Sequence, residues 1–511
     1  MTICDLRIRY GQLPAIVDGV NLTLDRGECL LLTGPSGCGK TTLARAVAGL
    51  IPHAIPASVE GEVRLDGVSI QGSTLPAIAR RVGMVFQNPA SQLFHLDVES
   101  EVSFGPHNLG LPLQEIEKRV EWALDIVGMT EFRRHSPAEL SGGQQQRLAI
   151  AAVLAMQPDI LVLDEPTSSL DTEGVRDIVK TLCWLRKHLN LSILLLEHRL
   201  VDVATLADKL AIMDQGKIVK IATTSEIFSD TALCNRYGLR IPNQANTVKI
   251  RTVVSPYEPE ASEKLSAVFT SLRVSEMAGQ SEPSLLQIIP QAKPLLVMQG
   301  VTAGYGRQSI LHDIDLTIAQ DDFVGILGHN GAGKTTLALV MAGLLQPRKG
   351  KVYFANGHNP RAGEDVSLLF QNPTDQLFTD SVAEEVAFGS LNFGHYNAAE
   401  QERLLTDMGL WPLRKRMPTA LSIGQQQRTA LCACMALRTR LLILDEPTIG
   451  QDWTHLLAIM KSVKQLHNAG TAVILITHDI ELIDIYANRR IELKHGRIYS
   501  DEPIIGENCC I

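Results

Sequence analysis

Apolar and polar positions along this chain fall into blocks. Cys29 to Leu32, Ile160 to Leu163, Phe323 to Leu327 and Leu441 to Leu444 are short, almost wholly apolar runs, each leading into a glycine-rich or acidic stretch. A run with both faces apolar predicts a strand buried on both sides, which indicates a parallel sheet. The segments that follow two of these runs have helical apolar periodicity, so the pattern predicts an α/β fold. The blocks also recur in order: Lys40, Gln87 and Glu165 of the first half are matched by Lys334, Gln371 and Glu446 of the second, with small insertions in the first, mainly at Ile51 to Gly61. We read a tandem duplication, with residues 1–240 as the first copy and 294–511 as the second. The charge-balanced stretch 241–293, rich in Pro, Ser and Glu, is expected to be an interdomain tether, with a possible helix over 261–274.

Each copy carries one glycine-rich loop between a predicted strand and a predicted helix. The first is Gly34-Pro35-Ser36-Gly37-Cys38-Gly39-Lys40-Thr41-Thr42 and the second is Gly328-His329-Asn330-Gly331-Ala332-Gly333-Lys334-Thr335-Thr336. Both fit the phosphate-loop pattern in its required context. The glycines let backbone N–H groups converge on an anion, and the helix N-terminus adds its positive end. Lys40 and Lys334 are then expected on the β- and γ-phosphates, with Thr41 and Thr335 on Mg²⁺.

Further matched positions extend the chemistry. Asp164 and Asp445 end apolar strands and are candidate Mg²⁺ ligands, while the adjacent Glu165 and Glu446 are placed to orient an attacking water. Gln87 and Gln371, where another strand ends, can touch both Mg²⁺ and water. His198 and His478 sit at the end of a further strand, within expected reach of a γ-phosphate. Ser141-Gly142-Gly143-Gln144 and Ser422-Ile423-Gly424-Gln425 open helices and provide a second anion-binding end. Tyr10 and Tyr305 are either nucleobase-stacking residues or ordinary strand tyrosines. Gln92-Leu93-Phe94 with Val102-Ser103-Phe104-Gly105, and Gln376-Leu377-Phe378 with Val386-Ala387-Phe388-Gly389, form either a docking surface or the packing of a helical insertion.

Bulk properties narrow the function. A formal net charge of −9 argues against general nucleic-acid binding, and the basic clusters Arg133-Arg134 and Arg414-Lys415-Arg416 read as solvated faces. No apolar run approaches the length of a membrane span and the N-terminus lacks a signal pattern, so membrane association is expected through a partner. The nine cysteines fit no zinc or disulfide framework. Cys432 and Cys434 are expected in the core, Cys38 is a candidate for alkylation, and Cys509-Cys510 is expected in a disordered tail.

Together these motifs resemble the nucleotide-binding domain of ABC ATPases, twice over. The Phe-Gln-Asn-Pro-x-x-Gln-Leu-Phe stretches at Phe86 and Phe370 are similar, more narrowly, to those of the ATPase components of energy-coupling factor transporters. That resemblance implies two tandem P-loop ABC-type domains, each a mostly parallel sheet with an inserted helical subdomain. It further implies ATP and Mg²⁺ as ligands and a peripheral location on the cytoplasmic face of the plasma membrane. The implied partners are a transmembrane coupling protein, received at Asn88 to Phe94 and Asn372 to Phe378, and a small substrate-binding membrane protein; the cargo would be a vitamin, a vitamin precursor or a metal ion. The copies would close head-to-tail, Ser141 completing the Lys334 site and Ser422 the Lys40 site. The alternatives are a soluble twin-ATPase factor acting on ribosomes, whose tether is expected to be strongly charged, and a sugar-importer ATPase, where one phosphate loop is expected to be degraded.

The second copy departs from the pattern at Ile423, in place of Gly142, and at Ile449-Gly450-Gln451-Asp452, in place of Ser168-Ser169-Leu170-Asp171. If the Gly142 position requires a left-handed backbone, Ile423 costs about 1–2 kcal/mol in the cleft facing Lys40. On that condition the Lys334 site is expected to be the faster.

Overall fold

The strand Cys29–Thr33 shows how the sequence builds the first copy. Cys29 and Leu31 pack into one apolar cluster and Leu30 and Leu32 into another, so successive side chains feed opposite faces of one sheet. In the computed structural model, which describes residues 1–168, 170–240 and 293–504, this sheet has six strands. Their order is Lys217–Ala222, Lys209–Asp214, Cys29–Thr33, Ser192–Leu196, Ile160–Asp164 and Val82–Val85. All neighbours are parallel except the edge strand Lys217–Ala222.

The second copy repeats the order with Arg497–Pro503, Arg489–Lys494, Phe323–Leu327, Ala472–Ile476, Leu441–Asp445 and Val366–Leu369. The α/β expectation holds in both copies. The expected tether up to residue 292, the helix over 261–274, Ser169 and Cys509-Cys510 lie outside the described residues. Both copies' described parts belong to one packed unit.

An antiparallel sheet covers one face of each parallel sheet: Thr2–Arg9 pairs with Val17–Thr23 and Ser58–Leu65, and Pro294–Ala303 pairs with Leu311–Ala319 and Lys349–Phe354. On the other face sits the helical insertion, made in the first copy of Val98–Asn108, Leu113–Ile126 and Gly142–Leu154. Leu113–Ile126 buries Ile116, Val120, Ala123 and Leu124, one stripe of a 3.6-residue period. Asp97 starts the first of these helices by accepting from Ser100 N–H (2.8 Å). Val382–Asn392, Ala398–Asp407 and Ile423–Ala436 are the counterparts. Cys432 and Cys434 are buried among them as expected, and burial pushes the Cys434 thiol up to about 12.

In each basic cluster one arginine is engaged, while Arg134, Lys415 and Arg416 are exposed as expected of a solvated face. Arg133 pairs with Glu99 (2.6 Å), and Arg414 lies 4.3 Å over the Trp411 ring. Among the described residues, no helix is long and apolar enough to cross a membrane.

The centre of the second sheet leaves no room at Gly325, where a Cβ would lie 2.4 Å from Ile483 Cγ2. Gly325→Ala is expected to lower stability by about 1–3 kcal/mol through overpacking, read as a lower urea midpoint.

Candidate functional site

Both glycine-rich loops occupy the gap between a central strand and a helix, Lys40–Val47 in the first copy and Lys334–Met341 in the second. Gly34 (φ 145°) and Gly328 (φ 155°) take a backbone that other residues avoid. A Cβ on either would strike a carbonyl of the neighbouring strand, 1.9 Å from Met213 O and 2.4 Å from Leu493 O. The turn aims two carbonyls at each lysine. Lys40 Nζ donates to Gly34 O (2.9 Å) and Pro35 O (3.2 Å), and Lys334 Nζ to Gly328 O (2.6 Å) and His329 O (3.1 Å).

The carboxylates arrive one strand further along each sheet, beyond Ser192–Leu196 in the first copy and Ala472–Ile476 in the second. Thr41 Oγ1 donates to Asp164 Oδ1 (3.2 Å), and Thr335 Oγ1 to Asp445 Oδ2 (2.6 Å). Burial, reinforced by neighbouring Glu165, pushes Asp164 up to about 6, and burial likewise raises Asp445. Such paired hydroxyl and carboxylate oxygens suit a hydrated divalent cation.

Glu165 and Glu446 both hold left-handed backbones, φ 48° and 51°. Non-glycine residues pay about 1–3 kcal/mol for this, and the surroundings enforce it: each glutamate N–H donates to the next strand, at Leu196 O and Ile476 O.

Beyond that the copies differ. In the first, Gln87 Nε2 donates to Glu165 Oε2 (2.7 Å) and His198 Nε2 lies 3.1 Å from Oε1. Although burial works against its charge, His198 and Lys40 hold Glu165 below the usual carboxylate range. In the second, Gln371 is exposed and forms no such bond among the described residues. His478 Nε2 turns to Asn330 Oδ1 (3.2 Å), leaving Glu446 Oε1 buried without a hydrogen bond, 3.3 Å away. Burial and Asp445 raise Glu446, while burial and Lys334 bring His478 down to about 4.

Contacts cross between the copies from each phosphate loop to an aspartate outside the expected site set. Asp452 Oδ2 accepts from Ser36 N–H (2.8 Å), and Asp171 Oδ2 accepts from Asn330 N–H (3.0 Å). Each aspartate also starts the helix that follows it, through His455 N–H and Gly174 N–H. The Ser141 and Ser422 hydroxyls cap their own helices in reciprocal capping boxes with Gln144 and Gln425, and both serines are exposed. Neither bonds to the opposite lysine loop among the described residues.

The condition attached to Ile423 is not met. Gly142 and Ile423 are each the first residue of a regular helix, and neither has a positive φ. The isoleucine carries no left-handed strain, and the expected asymmetry loses that support. The crowded glycine is instead Gly424, where a Cβ would lie 2.2 Å from Gly450 O. Tyr10 and Tyr305 also part company, since Tyr10 is half-buried against the core and Tyr305 is exposed.

The insertion stretches divide between packing and surface. Val102, Val386 and Leu377 are buried, and Leu93 packs against the core. Phe94 and Phe378 are 65% and 66% exposed. Each meets a second exposed ring edge-on: Phe94 and Phe104 have centroids 5.0 Å apart, Phe378 and Phe388 4.8 Å. Buried Glu101 and Glu385 hold these loops. Glu101 Oε2 accepts from Phe94 N–H (2.9 Å) and His95 N–H (2.8 Å), and Glu385 Oε2 from Phe378 and Thr379 N–H, both 2.9 Å. Their matched position one residue before Val102 and Val386 was the available signal.

The ABC transporter family model matches residues 17–168 and 311–449, taking in both loops and both acidic pairs. This chain belongs to the ABC transporter family. A protein of Methanosarcina acetivorans named as an ABC transporter ATP-binding protein is 37% identical over 542 residues, covering 98% of this chain and 84% of the relative. A Bacillus subtilis protein named as an HMP/thiamine import ATP-binding protein is 32% identical over 502 residues, covering 96% and 88%. An archaeal ribosome recycling factor, in complex with a ribosomal stalk protein, shares the fold: TM-score 0.64 and 20% identity over 98% of this chain and 90% of that one. The chain is a fused, two-domain ABC ATPase, and ATP binding and hydrolysis are the work of its ABC domains.

Cys38, expected to be open to alkylation, is instead buried, and burial raises its thiol above the ordinary range. Maleimide treatment near neutral pH followed by peptide mass spectrometry is expected to label the half-buried Cys4 well before Cys38.

Proposed function

We propose that this ABC ATPase is the motor subunit of an energy-coupling factor type importer, using ATP to drive uptake of a vitamin, vitamin precursor or metal ion through separate membrane subunits. The observation that carries this reading is the duplicated pair of exposed phenylalanines, Phe94 with Phe104 and Phe378 with Phe388, each anchored by a buried glutamate. Exposed aromatic pairs anchored from beneath suit docking of apolar helices. The HMP/thiamine import name of the Bacillus subtilis relative points the same way. On this reading the chain lies peripherally on the cytoplasmic face of the membrane, and Asn88 to Phe94 and Asn372 to Phe378 meet a transmembrane coupling protein.

On this reading each site residue takes a definite role. Lys40 and Lys334 exchange carbonyl partners for phosphate oxygens, and the loop N–H groups complete the cradle. Thr41, Gln87 and Asp164, with Thr335, Gln371 and Asp445, are the residues that would hold Mg²⁺, which supplies charge neutralisation between the phosphates. Glu165 and Glu446 orient the attacking water and accept its proton, and His198 and His478 steady the γ-phosphate. Tyr10 and Tyr305 stack on the base. The serine loops at Ser141 and Ser422 cap the nucleotide from the opposite copy once the cleft closes.

Glu165→Gln combined with Glu446→Gln is expected to slow ATP turnover by about 10²- to 10⁴-fold, the usual contribution of a general base. Purification of the tagged chain from native membranes in mild detergent, with mass spectrometry of bound proteins, is expected to recover a polytopic membrane protein with a small one. Phe94→Ala with Phe378→Ala is expected to cut that recovery about tenfold or more, as for buried aromatic anchors. Recovery of ribosomes with no membrane protein would overturn the proposal.

A further inference from the structure

Arg240, the last described residue of the first copy, reaches into the second copy through a fork of bonds. Nη1 donates to Asp479 Oδ2 (2.5 Å), Nη2 to Asp479 Oδ1 (3.0 Å) and Nε to Glu481 Oε2 (2.9 Å), and Nη2 also meets Glu481. The guanidinium carbon lies 4.7 Å from the Trp453 ring centroid, and the Arg240 side chain is only 20% exposed. A bidentate fork combined with a cation–π face is far more specific than an ordinary surface ion pair. Two residues earlier Gly238 presses on the same region: a Cβ there would lie 2.3 Å from Thr454 Oγ1.

The partners of this guanidinium are placed where the chemistry is. Asp479 directly follows His478, and its Oδ1 accepts from Leu482 N–H (3.3 Å) to start the helix Ile480–Tyr486. Trp453 directly follows Asp452, the residue that holds the Ser36 amide, and begins the helix Trp453–Asn468. One side chain thus joins the two segments of the second copy that carry His478 and Asp452.

The arrangement is one-sided. Where the second copy has Trp453, Asp479 and Glu481, the first has Thr172, Arg199 and Val201. Arg199 pairs instead with its neighbour Asp202 (3.1 Å), and a second arginine there would meet like charge.

We propose that Arg240 is a positioning residue for hydrolysis at the Lys334 site. By clamping Asp479 against Trp453 it keeps His478 in line with Asn330 and Glu446. This rests on the reading of that site as an ATP-hydrolysing centre. The bonds of Arg240 go to Asp479 and Glu481 and not to the Lys334 loop, so its loss acts on turnover and not on nucleotide capture.

The test is steady-state ATPase of the full chain. Arg240→Ala is expected to lower kcat about fivefold with KM for ATP within twofold, and Arg240→Lys to restore part of the rate by keeping the charge. Asp479→Asn, which retains an oxygen for the helix start, is expected to match Arg240→Ala, and the double variant to be no slower than either. If Arg240→Ala fails to fold, Arg240→Lys and Asp479→Asn carry the same comparison. Parent-like kcat in a chain that Glu446→Gln does slow would overturn the clamp alone. So would a raised KM at unchanged kcat, or additive losses in the double variant. Parent-like turnover by Glu446→Gln would overturn the reading of the site itself.

Discussion

A buried ammonium group is costly unless oxygen atoms replace the water it gives up. Lys40 and Lys334 are each nearly enclosed, and each is satisfied by two carbonyls of its own loop. Those carbonyls point inward only because Gly34 and Gly328 adopt a backbone closed to other residues and lie flat against a neighbouring strand. That approach demands the parallel sheet, because the strand it touches must run beside the loop's own strand in register. On the opposite side of the loop's strand, parallel pairing through one intervening strand brings Asp164 and Asp445 to the threonine after each lysine. The site is therefore inseparable from the fold: the turn that positions the cation is also the seam between loop and sheet.

The two copies solve this problem identically and then diverge one residue further on. Glu165 is tied by Gln87 and faces His198, so its charge is supported from two sides. Glu446 is enclosed next to Asp445 with one oxygen unbonded, while His478 looks to Asn330. Identical residue types in identical backbone conformations thus rest in different electrostatic states, set by which neighbours lean in.

Much of this was legible in the sequence because phosphate loops, apolar strands and helix caps are local patterns. Spacing alone picked out Lys40, Thr41 and Asp164, which the structure brings together, and Ser141 as the start of a helix. What escaped depends on contacts distant in the chain. Arg240 meets Asp479 across 239 positions, and Asp452 meets Ser36 across 416. Glu101 is marked only by its match to Glu385, which does not say that its carboxylate holds the Phe94 loop. The left-handed turn at Glu165 and Glu446 carries no glycine to mark it. Ile423 shows the reverse error: a glycine at the matching position invited a conformational reading, but the helix begins there with ordinary backbone angles.

The two aromatic projections are nearly alike but not interchangeable. In the first copy the imidazole of His95 lies tilted beside both rings, 4.4 Å from Phe94 and 5.0 Å from Phe104, where the second copy has Thr379. A twofold pair of identical hooks would let a lopsided binding partner attach in either of two equivalent orientations. One polar ring on one of them breaks that equivalence, so on the docking proposal above the two ends of a partner would meet different surfaces.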